Sequence, residues 1–239
     1  LFNNYWTAGF FSKVFLPAYN DEDIFRNEQA WAYETELWGY AGPSFSTDRR
    51  KKLVLNAEIG TGYGKNRGRG YRVSLGAEIK PIEPLNIEIK AMQDRSPTYM
   101  QWVDIVENAD DTARVYANSL LLTRDVTLRL NWTFSPDLSI QCFVQPFFAD
   151  MKYNEYYRLL APETIDLDGY DYLNDDNNPD FKLQNTVGTF VLRWEYRSGS
   201  TIFIVYNLSD NKYYSPVDKT WTSEEANALY FKLNYWIKN

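Results

Sequence analysis

Histidine does not occur among the 239 residues, and cysteine occurs once, at Cys142. Without histidine there is no Ser–His–Asp or Cys–His nucleophile, no HExxH zinc site and no imidazole general base. A lone cysteine builds neither an internal disulfide nor a cysteine-rich zinc site, so cysteine usage assigns no redox compartment. No stretch approaches the roughly 18 consecutive apolar residues of a helical membrane span. Basic residues are the minority: 25 Lys and Arg face 32 Asp and Glu, for a formal charge of −7 and a pI near 4.8. That balance argues against a nucleic-acid partner, which needs a net basic face. The chain opens on Leu1 rather than methionine, without a basic-then-apolar signal segment, and reads as a mature or partial form.

What the chain has in excess is rings. Aromatics supply 17% of residues, as 19 Tyr, 14 Phe and 8 Trp, although mean hydropathy is only −0.50. Two classes combine polarity with so many rings: carbohydrate-binding β folds, and outer-membrane β-barrels with aromatic girdles at both water interfaces.

The dominant hydrophobic period is two. Leu53, Leu55, Ala57, Ile59 and Tyr63 alternate with Asn56, Glu58, Gly60 and Gly62. Tyr71, Val73, Leu75, Ala77 and Ile79 alternate with Arg72, Ser74, Gly76, Glu78 and Lys80. Val126, Leu128, Leu130, Trp132 and Phe134 alternate with Asp125, Thr127, Arg129, Asn131 and Thr133. Such alternation predicts strands with one apolar and one polar face, and no segment carries a useful 3.6-residue stripe. Ten strands are expected, roughly 5–15, 36–48, 51–63, 70–81, 84–95, 114–134, 137–149, 182–197, 201–208 and 225–237. Short connections near 48–51, 81–84, 135–137 and 197–200 alternate with longer or more polar ones near 16–35, 64–70, 95–113, 150–181 and 208–224. Short turns on one side and long loops on the other are the layout of an outer-membrane barrel, whose strands need about 9–11 residues to cross. The strand at 114–134 is too long for that and is expected to project. The expected fold is therefore all-β: an antiparallel transmembrane outer-membrane β-barrel, or the C-terminal ten or so strands of one, forming a single domain over 1–239. The competing expectation is a soluble, aromatic-rich carbohydrate-binding β-sandwich. Its strands are more often five or six residues long.

Several runs carry a family resemblance. Thr127 to Gln141 reads Thr-Leu-Arg-Leu-Asn-Trp-Thr-Phe-Ser-Pro-Asp-Leu-Ser-Ile-Gln, followed by Val144-Gln145-Pro146-Phe147 and Asn178-Pro179-Asp180-Phe181. The most specific run is Arg193-Trp194-Glu195-Tyr196-Arg197-Ser198-Gly199-Ser200-Thr201, and the chain closes with Phe231-Lys232-Leu233-Asn234-Tyr235-Trp236. Over about residues 36–239 these resemble the C-terminal barrel region of an uncharacterised family of Gram-negative outer-membrane proteins. The longer members of that family carry an N-terminal carbohydrate-binding domain of the family-nine type, absent here. The resemblance implies the C-terminal part of such a protein, located in the outer membrane, with a role in glycan handling or in a larger outer-membrane complex. It implies no chemistry.

Candidate site residues lie on the polar faces of the strands. The basic members are Arg72, Lys80, Lys90, Arg129, Arg193 and Lys232; the acidic ones are Glu58, Glu78, Glu88, Asp94, Asp125 and Glu195. Opposite charges of this kind pair across the wall of a barrel lumen, whereas a selective pore favours one sign. No catalytic residue is assigned, and the protein is expected not to be an enzyme. The segment 163–180 is rich in hard oxygen donors; Asp166, Asp168, Asp171, Asp175 and Asp176 are calcium candidates, although the EF-hand spacing is not met. Calcium apart, no cofactor is expected. Tyr153, Tyr156, Tyr157, Tyr170 and Tyr172 have the flat amphipathic rings that stack on sugars, and equally suit loop packing. Gly64-Lys65-Asn66-Arg67-Gly68-Arg69-Gly70 lacks the Lys-Ser/Thr ending of a P-loop. It reads as a basic loop able to touch lipopolysaccharide phosphates. The expected partners are thus the lipid bilayer, lipopolysaccharide, other outer-membrane proteins or glycans, and no nucleic acid.

Overall fold

The computed structural model describes residues 4–21, 31–107, 111–164, 167–174 and 176–237, and among them there is no helix. The strands are β1 (Thr7–Phe15), β2 (Tyr19–Asn20), β3 (Tyr33–Glu34), β4 (Trp38–Ser46), β5 (Leu53–Gly64), β6 (Gly68–Ile79) and β7 (Leu85–Glu107). They continue as β8 (Thr112–Ser135), β9 (Leu138–Leu159), β10 (Leu167–Gly169), β11 (Phe181–Arg197), β12 (Ser200–Ser215) and β13 (Thr220–Asn234). Ten of them form one meander in the order β1-β4-β5-β6-β7-β8-β9-β11-β12-β13, every pair antiparallel. β10 adds to β9, and β2 pairs with β3 as a small separate ladder. These ten strands are the ten expected from the alternation, in chain order. Tight turns do lie on one side, at 136–137 and 198–199 for example, and the longest connections lie on the other.

The register carries the alternation across the sheet. Leu55, Ala77, Ile89, Leu128 and Val144 stand in one cross-strand row. Ile87, Leu130, Cys142, Phe190, Tyr206 and Leu229 make the next. Because the side-chain period is two, every apolar row of one face leaves a polar row on the other. The apolar face is uncovered: Ile59 is 52% exposed, Leu75 54% and Phe231 66%. The small β2–β3 ladder meets the main sheet only at the β7–β8–β9 end, through Tyr33 against Tyr116, and the apolar rows themselves stay exposed among the described residues. This is one open sheet. β1 and β13 are its two edges and do not pair with each other among the described residues.

The connections differ from expectation in length. The segments 95–113, 150–181 and 208–224 were expected as loops, yet β7 runs to Glu107, β9 to Leu159 and β12 to Ser215. The basic stretch 64–70 is a tight turn, with β5 ending at Gly64 and β6 starting at Gly68. In these extensions Tyr, Asn, Asp and Lys occupy both faces, so alternation gives no signal while the backbone ladder continues through bulges at Thr98–Gln101, Trp102–Asp104 and Ala117–Asn118.

The buried core sits in those extensions. Tyr116 and Val115, successive on β8, point to opposite faces of the β7–β8–β9 ribbon, and each is fully buried. Tyr116 packs with Tyr33, Met100 and Leu159 beneath Trp31 and Trp102; Val115 packs with Ala113 and Tyr172. Trp31, Tyr33 and Leu167 close one side, and Tyr170 and Tyr172 the other. Tyr116 Oη donates to the Trp31 carbonyl at 2.9 Å, and Tyr172 Oη donates to the Asp104 carboxylate at 3.0 Å. Among its described residues, the segment 150–181 continues β9 to Leu159 and then covers the ribbon with Leu167, Tyr170 and Tyr172.

Candidate functional site

Eleven of the twelve charged positions singled out from the sequence fall on the polar face, as the registers require, and Lys80 follows directly after the end of β6. The structure pairs only some of them. Arg72 Nε meets Asp94 at 2.5 Å across β6 and β7, Lys80 meets Glu78 at 2.8 Å, and Arg193 meets Glu195 at 2.8 Å. Gln145 donates to Asp125 at 3.3 Å. The Arg129 guanidinium lies 4.9 Å from the Phe143 ring centre, and Lys232 lies 5.9 Å from that of Phe203. Glu78 and Glu88 stand directly opposite each other, with Arg129 as the next partner of Glu88. Among the described residues Glu58, Glu88 and Lys90 form no ion pair. These three line an open depression of about 450 Å³ together with Ser44, Ser46, Asn56 and Ser74. Its lining sets the carboxylates of Glu58, Glu78 and Glu88 against the cations of Arg49 and Lys90 and is rich in hydroxyls.

Further along the same face lies a smaller cleft of about 170 Å³. Phe11, Trp38 and Tyr40 form its wall, Gly60, Gly62 and Gly70 its floor, and Glu58 with the Arg72–Asp94 pair its far side. A larger residue would crowd the floor, most of all at Gly70, where a Cβ would meet the Arg95 carbonyl oxygen at 2.8 Å. A Cβ on Gly60 would meet the Phe11 ring at 3.2 Å, and one on Gly62 would meet Tyr40 Cβ at 3.1 Å. The rings therefore lie close against bare backbone. Trp38 is held in turn by Phe15, stacked at 4.0 Å, and by the Arg67 guanidinium at 4.3 Å. Arg67 itself is fixed by Glu36, a buried carboxylate that also accepts the backbone N–H groups of Asn66 and Arg67 at 2.7 and 2.9 Å. Flat rings beside a fixed guanidinium–carboxylate pair offer apolar stacking and directional hydrogen bonds at once, the two things a sugar ring uses.

Sequence reasoning did not assemble this cleft, because Phe11, Trp38 and Arg67 come from segments whose alternation is weak or interrupted. The signal that was present is the spacing Gly60, Gly62, Gly64 on a polar strand face. The tyrosines near 150–172 serve the ribbon instead: Tyr156 packs against Tyr172 with ring centres 5.2 Å apart. Burial pushes the Tyr156 phenol up to about 12, with the Asp180 carboxylate adding to the effect.

Of the calcium candidates, Asp166 and Asp175 lie outside the described residues. Asp168 faces Arg158 at 3.4 Å, and Asp171 and Asp176 are exposed. Among the described residues, no three metal-ligating side chains converge anywhere.

One antiparallel meander of ten strands, with an uncovered apolar face and a charged opposite face, defines an all-β antiparallel sheet protein. The chain belongs to the family of a domain of unknown function, DUF5916, whose model matches residues 2–238. No curated protein matches it.

Proposed function

We propose that this chain is a non-enzymatic outer-membrane β-barrel protein of a Gram-negative envelope, its ten strands forming all of the barrel wall or the C-terminal part of it. The observation that carries this reading is the uncovered apolar face. Its rows run unbroken through neighbouring strands, and Trp132, Phe134, Trp194 and Tyr196 mark its short-turn border. In water such a face is a liability far beyond the few hundred Å² that soluble monomers expose; in hydrocarbon it needs no cover. The polar face would then line the lumen. The edges β1 and β13 would close on each other or on further strands, since each unsatisfied backbone group in a bilayer costs several kcal/mol. The sandwich alternative requires a second sheet over the apolar face, and the exposure of Ile59, Leu75, Leu128 and Phe231 argues against such a cover.

The cleft of Phe11, Trp38 and Tyr40 supports a role in handling glycans, alone or as a subunit of a larger outer-membrane complex, and suits the carbohydrate-binding domain of the longer proteins it resembles. The non-enzymatic reading rests on the missing histidine and on the engagement of Asp94, Glu78 and Glu195 in ion pairs. The test is extraction and migration. The protein should leave membranes only in detergent and run differently on gels before and after heating. A folded monomer fully soluble without detergent would end the reading.

A further inference from the structure

The outward face changes character just above the apolar rows, on the side of the long connections. There Tyr63 is the cross-strand partner of Arg69, Tyr71 that of Arg95, and Arg124 stands between Gln93 and Phe148. The three arginines step across the adjacent strands β6, β7 and β8. Each is the diagonal neighbour of the next, a spacing of roughly 7–8 Å. The Arg95 and Arg124 guanidinium groups are held by hydrogen bonds rather than by acids. Arg95 donates to the Arg69 carbonyl, and Arg124 Nε donates to Gln93 Oε1 at 3.0 Å. Gln93 Nε2 donates in turn to Tyr71 Oη at 2.7 Å. Asp150, opposite Leu122, is the acid closest in register to Arg124. Among the described residues none of the three arginines forms an ion pair.

That is unexpected in a chain with a formal charge of −7. Arg67, in the same basic stretch, is fully engaged by Glu36 and Trp38. Beside Arg69 an outward groove of about 500 Å³ runs over Ser12, Ala41 and Thr61 between Val14 and Tyr63. Three permanently charged forks above a row of interfacial tyrosines, next to an outward groove, fit an anion that carries an acyl chain. A guanidinium takes a phosphate through two parallel N–H bonds, and it cannot shed its proton to escape the membrane interface.

We propose that Arg69, Arg95 and Arg124 bind the phosphate groups of an anionic phosphorylated lipid in the leaflet on the long-connection side, with an acyl chain in the adjoining groove. The inference rests on the membrane reading above. Zwitterionic heads bring their own ammonium and compensate the arginines poorly, so a glycolipid phosphate without an ammonium is preferred.

The test uses the whole chain folded in zwitterionic detergent, with lipid A as probe and inorganic phosphate as competitor. The variants are R69Q/R95Q/R124Q together, R69Q and R124Q singly, and K51Q, in an exposed turn at the opposite rim, as the same one-charge change as each single variant. The triple variant should lose at least about tenfold in lipid A affinity, the equivalent of one charge-assisted hydrogen bond. The single variants should fall between, and K51Q should match the unaltered chain. Unchanged affinity in the triple variant, or in both singles if the triple does not fold, overturns the site. Displacement of lipid A by equimolar inorganic phosphate would make it a free-phosphate site and overturn the lipid. If the unaltered chain fails to give a heat-modifiable band, the membrane reading fails separately and first.

Discussion

Met100 on β7 and Glu155 on β9 both adopt left-handed backbone conformations, with φ of 58° and 56°, on either side of Asn118 in β8. Each marks a bulge where the register shifts, next to Thr98–Gln101 on one side and Ala117–Asn118 on the other. The bulge turns Met100 into the core beneath Tyr116, while Glu155 accepts from Asn118 Nδ2 at 2.7 Å. A left-handed non-glycine residue costs about 1–2 kcal/mol. Glu155→Gly should therefore be close to neutral, with relieved backbone strain offsetting the lost hydrogen bond. Glu155→Val should destabilise the ribbon by about 1–3 kcal/mol, because a β-branched residue resists this conformation. Protease nicking within 150–159, followed against urea concentration, reports the difference. Equal behaviour of the two variants would show that the bulge is not under strain.

The order of the ten strands was legible because Leu53 to Ile59, Tyr71 to Ile79 and Val126 to Phe134 each keep one apolar face over many residues. The same parity placed Glu58, Arg72, Arg129 and Lys232 on the opposite face. The ribbon above the sheet was not legible. Tyr153, Asn154, Glu155 and Tyr156 offer no period, and the packing that orders them comes from Trp31, Tyr33 and Tyr172, far away in sequence. The cleft was hidden for a related reason. Phe11 and Trp38 meet only through the pairing of β1 with β4, and a glycine floor leaves no apolar signature.

Facing and depth can be read by charge. Leu128 lies mid-row on the apolar face, Trp194 near its border, and Arg129 on the polar face. Leu128→Arg should cost about 2–4 kcal/mol of folding free energy in a bilayer, and Trp194→Arg no more than about 1 from the charge itself. Arg129→Gln should leave membrane assembly nearly unchanged. Refolding into phospholipid vesicles with denaturant titration measures all three. Equal costs for Leu128→Arg and Arg129→Gln would show the two faces to be wrongly assigned.

The turn between β4 and β5 is tied by Asp48, which is nearly fully buried. Its carboxylate accepts from Arg50 Nε and backbone N–H at 2.9 and 3.0 Å, and the Arg50 guanidinium lies 3.4 Å from the Tyr5 ring centre. The Arg50 side-chain hydrogen bond holds this carboxyl well below the aspartate range, at about 2. Its folded value is depressed, so its stabilisation is complete above the unfolded value near 4 and lost as pH falls from there towards 2. Tyr172 behaves oppositely. Burial and the Asp104 carboxylate raise its phenol above the ordinary value near 10, so its stabilisation is complete below that pH and lost above it. Asp48→Asn should flatten the acid limb of a stability–pH profile and leave the alkaline limb alone; Tyr172→Phe should do the reverse. A variant that flattens both limbs would break the assignment.

The edge strand β13 gives the sharpest test of how the sheet ends. Phe231 pairs with Ile204 and Leu233 with Ile202 on the apolar face, while Lys232 pairs with Phe203 on the other. The outer edge of β13 has no partner among the described residues, and its side chains are exposed on both faces apart from Ala228. In a bilayer that row of N–H and C=O groups has to be met by another strand. Phe231→Asp with Leu233→Asp puts two charges where lipid or a closing strand must lie, and should abolish assembly into membranes. Lys232→Gln changes an exposed residue on the polar face and should assemble as the parent does. Expression of both variants, followed by membrane fractionation and unheated gel migration, separates them. Normal assembly of the double-aspartate variant would show that β13 neither faces lipid nor closes the sheet.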